Sequence, residues 1–257
     1  MSRRFAWLYV QTQVPEDWEI TVYGKDPTFG RMVLATRNGL CATYRWQQRG
    51  KKQKNANSEL SWTRHEEADG GCVVNARAED VGVDLSWEFT PLGAGEAEGI
   101  LARMTRNAGE YRTYALHGIL ARVPEAFLPD RIQAYPANTM LGFAAPDHAR
   151  RVYRRWGLPE YVLRGLSIAD FFQKLLEAEG MRVDGVKRVQ VFGYPATRIL
   201  FSNRGLSAGA RFLGRRANGV GWIWVDTEWK RLCTYEAIGA KGSALPKVEE
   251  GFDVPEA

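Results

Sequence analysis

The sequence predicts an α+β protein that is dominated by antiparallel β-strands and built from two related sandwich-like modules. Nine Trp and ten Tyr occur among the 257 residues, and aromatic residues fit the pleated, half-buried surface of a strand. Short segments of alternating polarity recur between Gly, Pro and Asn turns, whereas one segment alone has a clear helical period. We therefore expect a sheet-rich fold with one amphipathic helix on the sheet of the second module.

An internal similarity at an offset of about 109 residues predicts the two modules. The first copy, residues 14–46, opens with VPEDW and closes with YRW. The second copy, residues 123–156, opens with VPEAF and closes with YRRW. Met32 and Met140 each begin a short apolar run inside their copy. A repeated offset is typical of tandem duplication, so both copies are expected to form the same meander.

The length and composition set the domain organisation. A chain of 257 residues can form one large core or two cores of about 125 residues each. We predict a β-rich first module over residues 1–122 and an α+β second module over residues 123–239. Residues 240–257, rich in Gly, Pro and Glu, are expected to be a loose tail.

Two local signals are especially clear. RMVLAT and LCATYRW flank Arg37-Asn38-Gly39, and Asn-Gly favours the tight turn of a β-hairpin. Ser167 is an expected helix N-cap, because Asp170 lies three residues later in a capping-box pattern. Apolar residues then follow at helical spacing as far as Leu176, and this face is expected to pack on a sheet.

The first copy has a strand, a turn of the Pro-x-x-Trp type and a meander that ends in an Arg-Trp strand. Its defining residues are Pro15, Trp18, Gly30 and the Tyr44-Arg45-Trp46 end. This pattern resembles the PsbP-like fold, the α/β/α sandwich of photosystem extrinsic subunits. The resemblance covers residues 7–46 and, less closely, residues 120–156. It implies an accessory or binding role, since most family members are non-enzymatic, and it assigns no functional residue. The chain departs from the family in having no obvious helix between Trp46 and Leu120.

Three motifs resemble catalytic or ligand sites without meeting their requirements. Ser207 lies in a G-x-S-x-G pattern, but every histidine precedes it, whereas the nucleophile elbow requires a later histidine. Residues 92–99, LGAGEAEG, have the wrong glycine spacing for a phosphate loop and are expected to be a flexible turn. The cluster at His65 lacks the spacing of a metal site. We predict no catalytic residue, cofactor or metal, and a hydrolase ranks last among the functions.

The cysteines and the hydropathy indicate the cellular compartment. Cys41, Cys72 and Cys233 are odd in number and far apart, which favours reduced, buried thiols over a disulfide framework. No apolar run approaches the ~20 residues that span a bilayer. The N-terminal segment also lacks the pattern of a signal peptide. The expected location is the cytoplasm, with no membrane span.

Positive charge is concentrated in the second half of the chain. Residues 131–216 contain fifteen Lys and Arg against six Asp and Glu, whereas the remainder has a net charge of −4. Arginine forks bind phosphate and carboxylate, and aromatic rings can stack on bases. The candidate patch for a polyanion or a partner consists of Arg150, Arg151, Arg154, Arg155, Trp156, Arg215 and Arg216.

These features predict a non-catalytic binding or accessory protein that docks onto a protein partner or a larger assembly. An acidic protein partner is one candidate. If the arginines converge on one face, the protein is expected to bind a polyanion; if they pair with the acidic residues of the other half, they are expected to hold the two modules together. Nucleic acid binding through residues 131–216 is the alternative, although no nucleic-acid module signature accompanies the arginines.

Overall fold

The computed structural model describes residues 2–50, 60–135, 137–203, 218–239 and 246–252. The chain divides into two units, Met1–Leu120 and Ala121–Ala257. Both units consist mostly of antiparallel sheets with few helices, so the predicted β-rich α+β class is confirmed.

The described residues of the first unit form the following strands and one short helix. They are β1 (Ser2–Trp7), β2 (Val10–Pro15), β3 (Glu19–Tyr23), β4 (Phe29–Thr36), β5 (Gly39–Gln48), β6 (Trp62–Glu66), β7 (Cys72–Ala78), β8 (Val83–Phe89), α1 (Ala97–Ala102), β9 (Thr105–Arg106) and β10 (Tyr111–Leu116). A 3-10 turn at Ala94–Glu96 precedes α1, and β11 (Ile119–Pro124) begins in this unit.

Two sheets organise these strands. A five-stranded sheet has the order β11-β10-β1-β2-β9, and a six-stranded sheet has the order β3-β4-β5-β8-β7-β6. Strand alternation places Tyr44 of β5 and Trp87 of β8 on one face, where the two rings stack with centroids 5.2 Å apart. Phe5 packs against Trp87 with ring centroids 5.3 Å apart. Aromatic residues therefore supply much of the buried core, as their number in the sequence indicates.

The predicted hairpin is confirmed as β4 and β5. Thr36 pairs with Gly39 across a two-residue turn of Arg37 and Asn38. The φ angle of Gly39 is 136°, a conformation that glycine adopts readily because it has no Cβ.

The prediction that residues 92–99 form a flexible turn is wrong. This segment enters the 3-10 turn and then α1. Ala97 and Ile100 lie one helical turn apart and are both buried, and Thr12 donates a hydrogen bond to the Ile100 carbonyl at 2.6 Å. The apolar spacing supplies core contacts that hold the segment in a helix. This short helix also lies in the interval where the sequence indicates none.

The second unit continues β11 and adds seven strands and two helices in the described residues. They are β12 (Leu128–Tyr135), β13 (Asn138–Ala144), β14 (Arg150–Gly157), α2 (Pro159–Leu163), α3 (Ile168–Ala178), β15 (Met181–Val191), β16 (Tyr194–Asn203), β17 (Asn218–Asp226) and β18 (Arg231–Gly239). Strands β12 to β18 form one antiparallel sheet with the order β12-β13-β14-β18-β17-β16-β15.

Helix α3 begins at the predicted cap and covers one face of this sheet. The Ser167 hydroxyl accepts a hydrogen bond from the Asp170 backbone N–H at 3.1 Å. Phe172 and Leu176 are fully buried in a cluster with side chains of the sheet. A Cβ atom at Gly221 would lie 2.6 Å from the Phe172 ring. The glycine therefore allows the helix to approach the sheet closely.

The opposite face of the sheet is aromatic, and the C-terminal segment packs on it. Tyr153, Tyr235 and Trp222 form a row of stacked rings, with successive centroids 4.9 and 5.4 Å apart. The ring of Phe252 packs edge-on against Tyr153 and Tyr235. The prediction of a loose tail is therefore wrong for its described part, residues 246–252. This segment is anchored because the Phe252 side chain packs on the aromatic face.

The two predicted copies have the same strand order and the same turn. In the first copy, the Trp18 N–H donates to the Pro15 carbonyl at 3.1 Å, and in the second the Phe127 N–H donates to the Pro124 carbonyl at 2.9 Å. The strands β3-β4-β5-β8 of the first unit match β12-β13-β14-β18 of the second in order and direction.

The registers of the two meanders also correspond. Trp46 pairs with Gly30, two residues before Met32, and Trp156 pairs with Asn138, two residues before Met140. Both tryptophans thus lie in strands at matching positions. The preceding hairpins, β1–β2 and β10–β11, have identical bounds at the offset of 109 residues.

The cysteines are free thiols. Cys41 and Cys72 are buried, whereas Cys233 is of intermediate exposure. Burial raises the pKa of Cys233 to about 12, so this thiol stays protonated and unreactive at neutral pH. No helix in the described part of the chain is long and apolar enough to cross a membrane.

Candidate functional site

Exposed aromatic and aliphatic side chains lie at one end of the second unit's sheet. Tyr135, Tyr161 and Trp229 are 59%, 73% and 60% exposed, and Leu158 is 55% exposed. Isolated apolar residues are normal on protein surfaces, whereas neighbouring ones mark interaction sites. We refer to Tyr135, Leu158, Tyr161 and Trp229 as the turn-end surface.

Gly157, the last residue of β14, links the turns that hold these side chains. Its N–H donates to the Ala137 carbonyl in the β12–β13 turn at 2.8 Å. On its other side, Gly157 pairs with Arg231, the first residue of β18. Neighbouring strands lie about 4.8 Å apart, so the β12–β13 turn, the β14–α2 connection and the β17–β18 turn are adjacent.

Helix α2 and the β17–β18 turn hold their exposed residues in place. Val162 and Leu163 pack against the buried cluster beneath α3, which leaves Tyr161 on the solvent side of α2. In the β17–β18 turn, the Asp226 carboxylate accepts hydrogen bonds from the N–H groups of Glu228 and Trp229, both at 3.1 Å. The aromatic side chains are therefore attached to well-anchored backbone.

Each of the three turns contains a non-glycine residue in the left-handed region. The φ angles are 63° at Ala137, 52° at Leu158 and 49° at Lys230. Such a conformation costs roughly 1–2 kcal/mol for an L-residue, and residues of this kind concentrate at binding sites. The surrounding hydrogen bonds and packing must offset that cost, so the shape of this end of the sheet is strongly specified.

Two arginines add positive charge beside the turn-end surface. The Arg231 guanidinium lies 5.2 Å from the centroid of the Trp229 ring, a distance at which a cation is attracted to an aromatic face. Burial lowers the pKa of Arg155 to about 10, and the positive charge of Arg231 lowers it as well. Arg155 therefore remains protonated at neutral pH, and this end combines aromatic and cationic groups.

The structure does not bring the described members of the predicted arginine patch onto one surface. Side chains alternate along β14, so Arg154 and Trp156 lie on the face covered by α3, and Arg155 lies on the other. Trp156 is only 9% exposed and packs edge-on against Phe171, with ring centroids 5.6 Å apart. Of these three, Arg155 lies close enough to Arg231, the arginine over the Trp229 ring, to feel its charge.

The remaining members of the patch are placed elsewhere. Arg150 is exposed and lies 3.9 Å from the Asp130 carboxylate. The Arg151 guanidinium covers the Phe127 ring at 4.7 Å from its centroid. Arg215 and Arg216 lie outside the described residues.

Arg154 is the centre of a buried ionic network. Its guanidinium donates to the carboxylates of Glu236 and Glu179, and the side chains of Arg154 and Glu236 are 6% and 2% exposed. Burial raises the pKa of Glu236 to about 7; Arg154 opposes this shift, and Glu179 adds to it. An arginine that is engaged in this way is not available to a polyanion.

The other motifs of the sequence supply no site in the described residues. Ser207 lies outside them. His65 is exposed on β6. In the ranges that the structure describes, no group of three or more His, Cys, Asp or Glu residues could hold a metal ion.

The sequence does not indicate the turn-end surface, because its members are single aromatic or aliphatic residues in separate segments of the chain. Three of the four lie next to a turn residue: Tyr135 precedes Pro136, Leu158 follows Gly157, and Trp229 follows Asp226-Thr227-Glu228. Tyr161 lies in α2. An aromatic residue within a polar turn has no core to enter, and that pattern could have indicated exposure.

No protein-family model and no curated protein matches the chain in sequence. Among solved structures, the chain is similar to the Ran-binding protein Mog1p of Saccharomyces cerevisiae at 12% identity, with a TM-score of 0.35 over 56% of this chain and 80% of that one. It is also similar to the immunity protein TplEi of T6SS from Pseudomonas aeruginosa at 12% identity, with a TM-score of 0.29 over 95% of this chain and 89% of that one. A chain of the Tle4–Tli4 complex is similar at 12% identity, with a TM-score of 0.27 over 95% of this chain and 88% of that one. Similarity at these TM-scores carries no inference about binding or activity.

Proposed function

We propose that the chain is a non-catalytic binding protein that docks onto a protein partner through the turn-end surface. The observation that carries this proposal is the exposure of Tyr135 at the end of β12, Tyr161 on α2 and Trp229 in the β17–β18 turn, all at one end of the sheet. Tyr, Trp and Arg are enriched in protein interfaces and in the residues that contribute most to binding. Well-anchored turns lose little conformational entropy on binding, which favours affinity.

The charge beside this surface indicates the chemistry of the partner. Arg155 and Arg231 lie on the neighbouring strands β14 and β18, and the positive charge of Arg231 acts on Arg155. A partner surface with an apolar pocket for the aromatic rings and carboxylates for the guanidinium groups would be complementary. Charge of this kind contributes mainly to the rate and specificity of association.

Nucleic acid binding through residues 131–216 is supported less well. Affinity for nucleic acid depends on a tract of cations that neutralises successive phosphates. Among the described arginines, Arg154 is already paired with two carboxylates and Arg151 covers an aromatic ring. This alternative is separated from the first by nuclease treatment in the experiment below.

The scaffold itself is proposed to be a tandem duplication. The matching positions of Trp46 and Trp156 and the shared strand order support this origin. The resemblance to the PsbP-like fold stays a prediction for each copy. In this proposal the second copy gained α3 and the exposed turns, and thereby the docking role.

The test is affinity capture with the full chain and with Tyr135→Ser/Tyr161→Ser/Trp229→Ser. These side chains are exposed, so the triple variant is expected to fold with an unchanged circular dichroism spectrum. Nuclease-treated lysate of the source cell is passed over immobilised protein, and retained proteins are quantified by mass spectrometry. We expect a partner that the wild type retains and the triple variant loses. Its affinity is then measured with purified components.

The matched control is Leu92→Ser, because Leu92 is a 52% exposed apolar residue of the first unit. This variant should retain the partner as the wild type does. Equal retention by the triple variant would refute docking through the turn-end surface. So would a partner that the wild type retains from untreated lysate but not from nuclease-treated lysate.

A further inference from the structure

One face of the first unit's six-stranded sheet forms a polar groove. On the face opposite Tyr44 and Trp87, Arg31, Arg45, Asn75 and Thr63 are exposed and Ser86 is partly exposed. The groove on it has a volume of about 1290 Å³. Its lining residues belong to the first unit, whereas those of the turn-end surface belong to the second.

A single row of directly paired residues crosses the groove. Each residue pairs with the next across neighbouring strands, in the order Arg31, Arg45, Ser86, Asn75 and Thr63. The row covers four strand spacings, or roughly 19 Å. It therefore presents two guanidinium groups at one end and hydroxyl and amide groups over the rest.

The arginines in this row are unevenly neutralised. Arg31 and Arg45 lie directly opposite each other, and like charges in such a position repel. Arg45 is paired with Glu88 at 2.9 Å. In contrast, the Arg31 side chain has neither an ion pair nor a hydrogen bond within the described residues. Arg31 is thus a cationic group that an external carboxylate could satisfy.

Other charges of the groove form their own pairs. Asp84 lies 3.4 Å from Arg49 and 3.6 Å from Arg77, so these cations are partly compensated. The exposed ring of Phe29, 63% accessible, lies at the rim beside Gln47. The groove consequently has one open cationic end, a polar floor and one aromatic edge.

The corresponding sheet of the second unit is covered on both faces. Helix α3 packs on the face of Trp156, and Phe252 packs on the face of Tyr153. The first unit buries the face of Tyr44 and Trp87 but leaves Arg31 and Asn75 exposed on the other.

We propose that this groove binds an extended acidic segment of a protein partner. A carboxylate of the segment pairs with Arg31, and its backbone amides exchange hydrogen bonds with Ser86, Asn75 and Thr63. An extended chain advances about 3.3 Å per residue, so about six residues span the row. Side-chain hydroxyl and amide groups both donate and accept, which suits a peptide backbone.

The same groups suit a nucleic acid less well. The exposed aromatic ring at the rim is Phe29 alone in the described part of the lining, whereas single-stranded nucleic acids stack on several rings.

The test measures binding of fluorescein-labelled, amidated hexaglutamate to the full chain by fluorescence anisotropy at low salt. Hexaglutamine and a hexathymidylate oligonucleotide serve as comparison probes. Arg31→Gln should weaken hexaglutamate binding about tenfold or more, as expected for the loss of one charge-assisted hydrogen bond. Arg37→Gln is the matched control, since Arg37 is an exposed arginine in the turn of the same hairpin, and should change the affinity less than twofold.

Each result of this test decides the proposal. Tighter binding of hexaglutamate than of either comparison probe, together with a selective effect of Arg31→Gln, supports it. Absence of hexaglutamate binding, equal effects of both substitutions, or equally tight hexathymidylate binding would overturn it. The triple variant of the turn-end surface should bind hexaglutamate normally, so failure of one proposal is distinguishable from failure of the other.

Discussion

The guanidinium of Arg154 and the carboxylate of Glu236 form an ion pair inside the second unit, on the neighbouring strands β14 and β18. Glu179, at the C-terminal end of α3, accepts a second hydrogen bond from Arg154. The network therefore joins the helix to the sheet. Burying charges costs several kcal/mol per ion, so each partner depends on the others being present.

Arg154→Met is expected to destabilise the protein strongly, because it leaves the Glu236 carboxylate buried without a partner. Loss of one member of a buried pair typically costs about 3–5 kcal/mol. The free energy of unfolding, measured by urea denaturation at neutral pH, should fall by this amount. Arg150→Met is the control, since Arg150 is 59% exposed and an exposed pair contributes about 0–1 kcal/mol.

A second variant separates charge from packing. Arg154→Met/Glu236→Leu removes both charges and should recover much of the lost stability, because apolar groups of similar volume replace the pair. If this double variant were as unstable as Arg154→Met, the uncompensated carboxylate would not be the cause.

The raised pKa of Glu236 predicts that its contribution to stability falls as pH rises. Burial raises this pKa from an ordinary value of 4.5 to about 7. Between these values the folded state holds a proton that the unfolded state has released, so the group favours folding fully below pH 4.5 and loses this effect through pH 7. The change amounts to up to about 3 kcal/mol, at 1.36 kcal/mol per pKa unit.

The measurement compares wild type and Glu236→Gln in urea at several pH values from 4.5 to 8. Glutamine cannot ionise, so the difference in unfolding free energy between the two proteins should shift in favour of Glu236→Gln as pH rises. A difference that is constant with pH would show that Glu236 has the same pKa in both states.

Local signals predicted the parts of the fold that depend on nearby residues. The cap of α3 needs Ser167 and Asp170, and the β4–β5 turn needs Asn38 and Gly39, so each is contained in a few neighbouring residues. The burial and ion pairing of Arg154 could not be predicted from neighbouring residues, because its partner Glu236 lies 82 residues later.

One part of the arginine patch could have been corrected from the sequence. In a strand, successive side chains point to opposite faces, so the adjacent Arg154 and Arg155 could not both face the same partner. The turn-end surface could not be predicted in this way, because it depends on tertiary contacts. Tyr161 is exposed because Val162 and Leu163 of the same helix enter the core beneath α3.

Gly221→Ala is expected to weaken the contact between α3 and the sheet. The added Cβ would lie 2.6 Å from the Phe172 ring, and overpacking of this kind costs about 1–3 kcal/mol. Urea denaturation measures the loss. Gly185→Ala is the matched control in the same sheet, because its added Cβ meets nothing within 4 Å, and it should leave stability nearly unchanged.

Phe172, whose ring the added methyl group would meet, can also be substituted. Gly221→Ala/Phe172→Leu makes room for the new methyl group, so Phe172→Leu should cost less when it is combined with Gly221→Ala than when it is made alone. Simple addition of the two single effects would indicate that the methyl group does not meet the ring.

Phe252→Ala tests whether the C-terminal segment belongs to the second unit's core. The Phe252 ring contacts four aromatic rings, including that of Trp224 at a centroid distance of 5.5 Å. Because Phe252 is only partly buried, we expect a loss of roughly 2–3 kcal/mol, below the range for a fully buried Phe. Exposure of Trp224 should also shift the tryptophan fluorescence to longer wavelength.

Phe29→Ala is the control, since Phe29 is 63% exposed and its substitution should alter neither the stability nor the fluorescence appreciably. Equal behaviour of the two variants would place Phe252 outside the core, and the aromatic face of Tyr153 and Tyr235 would then be open to solvent.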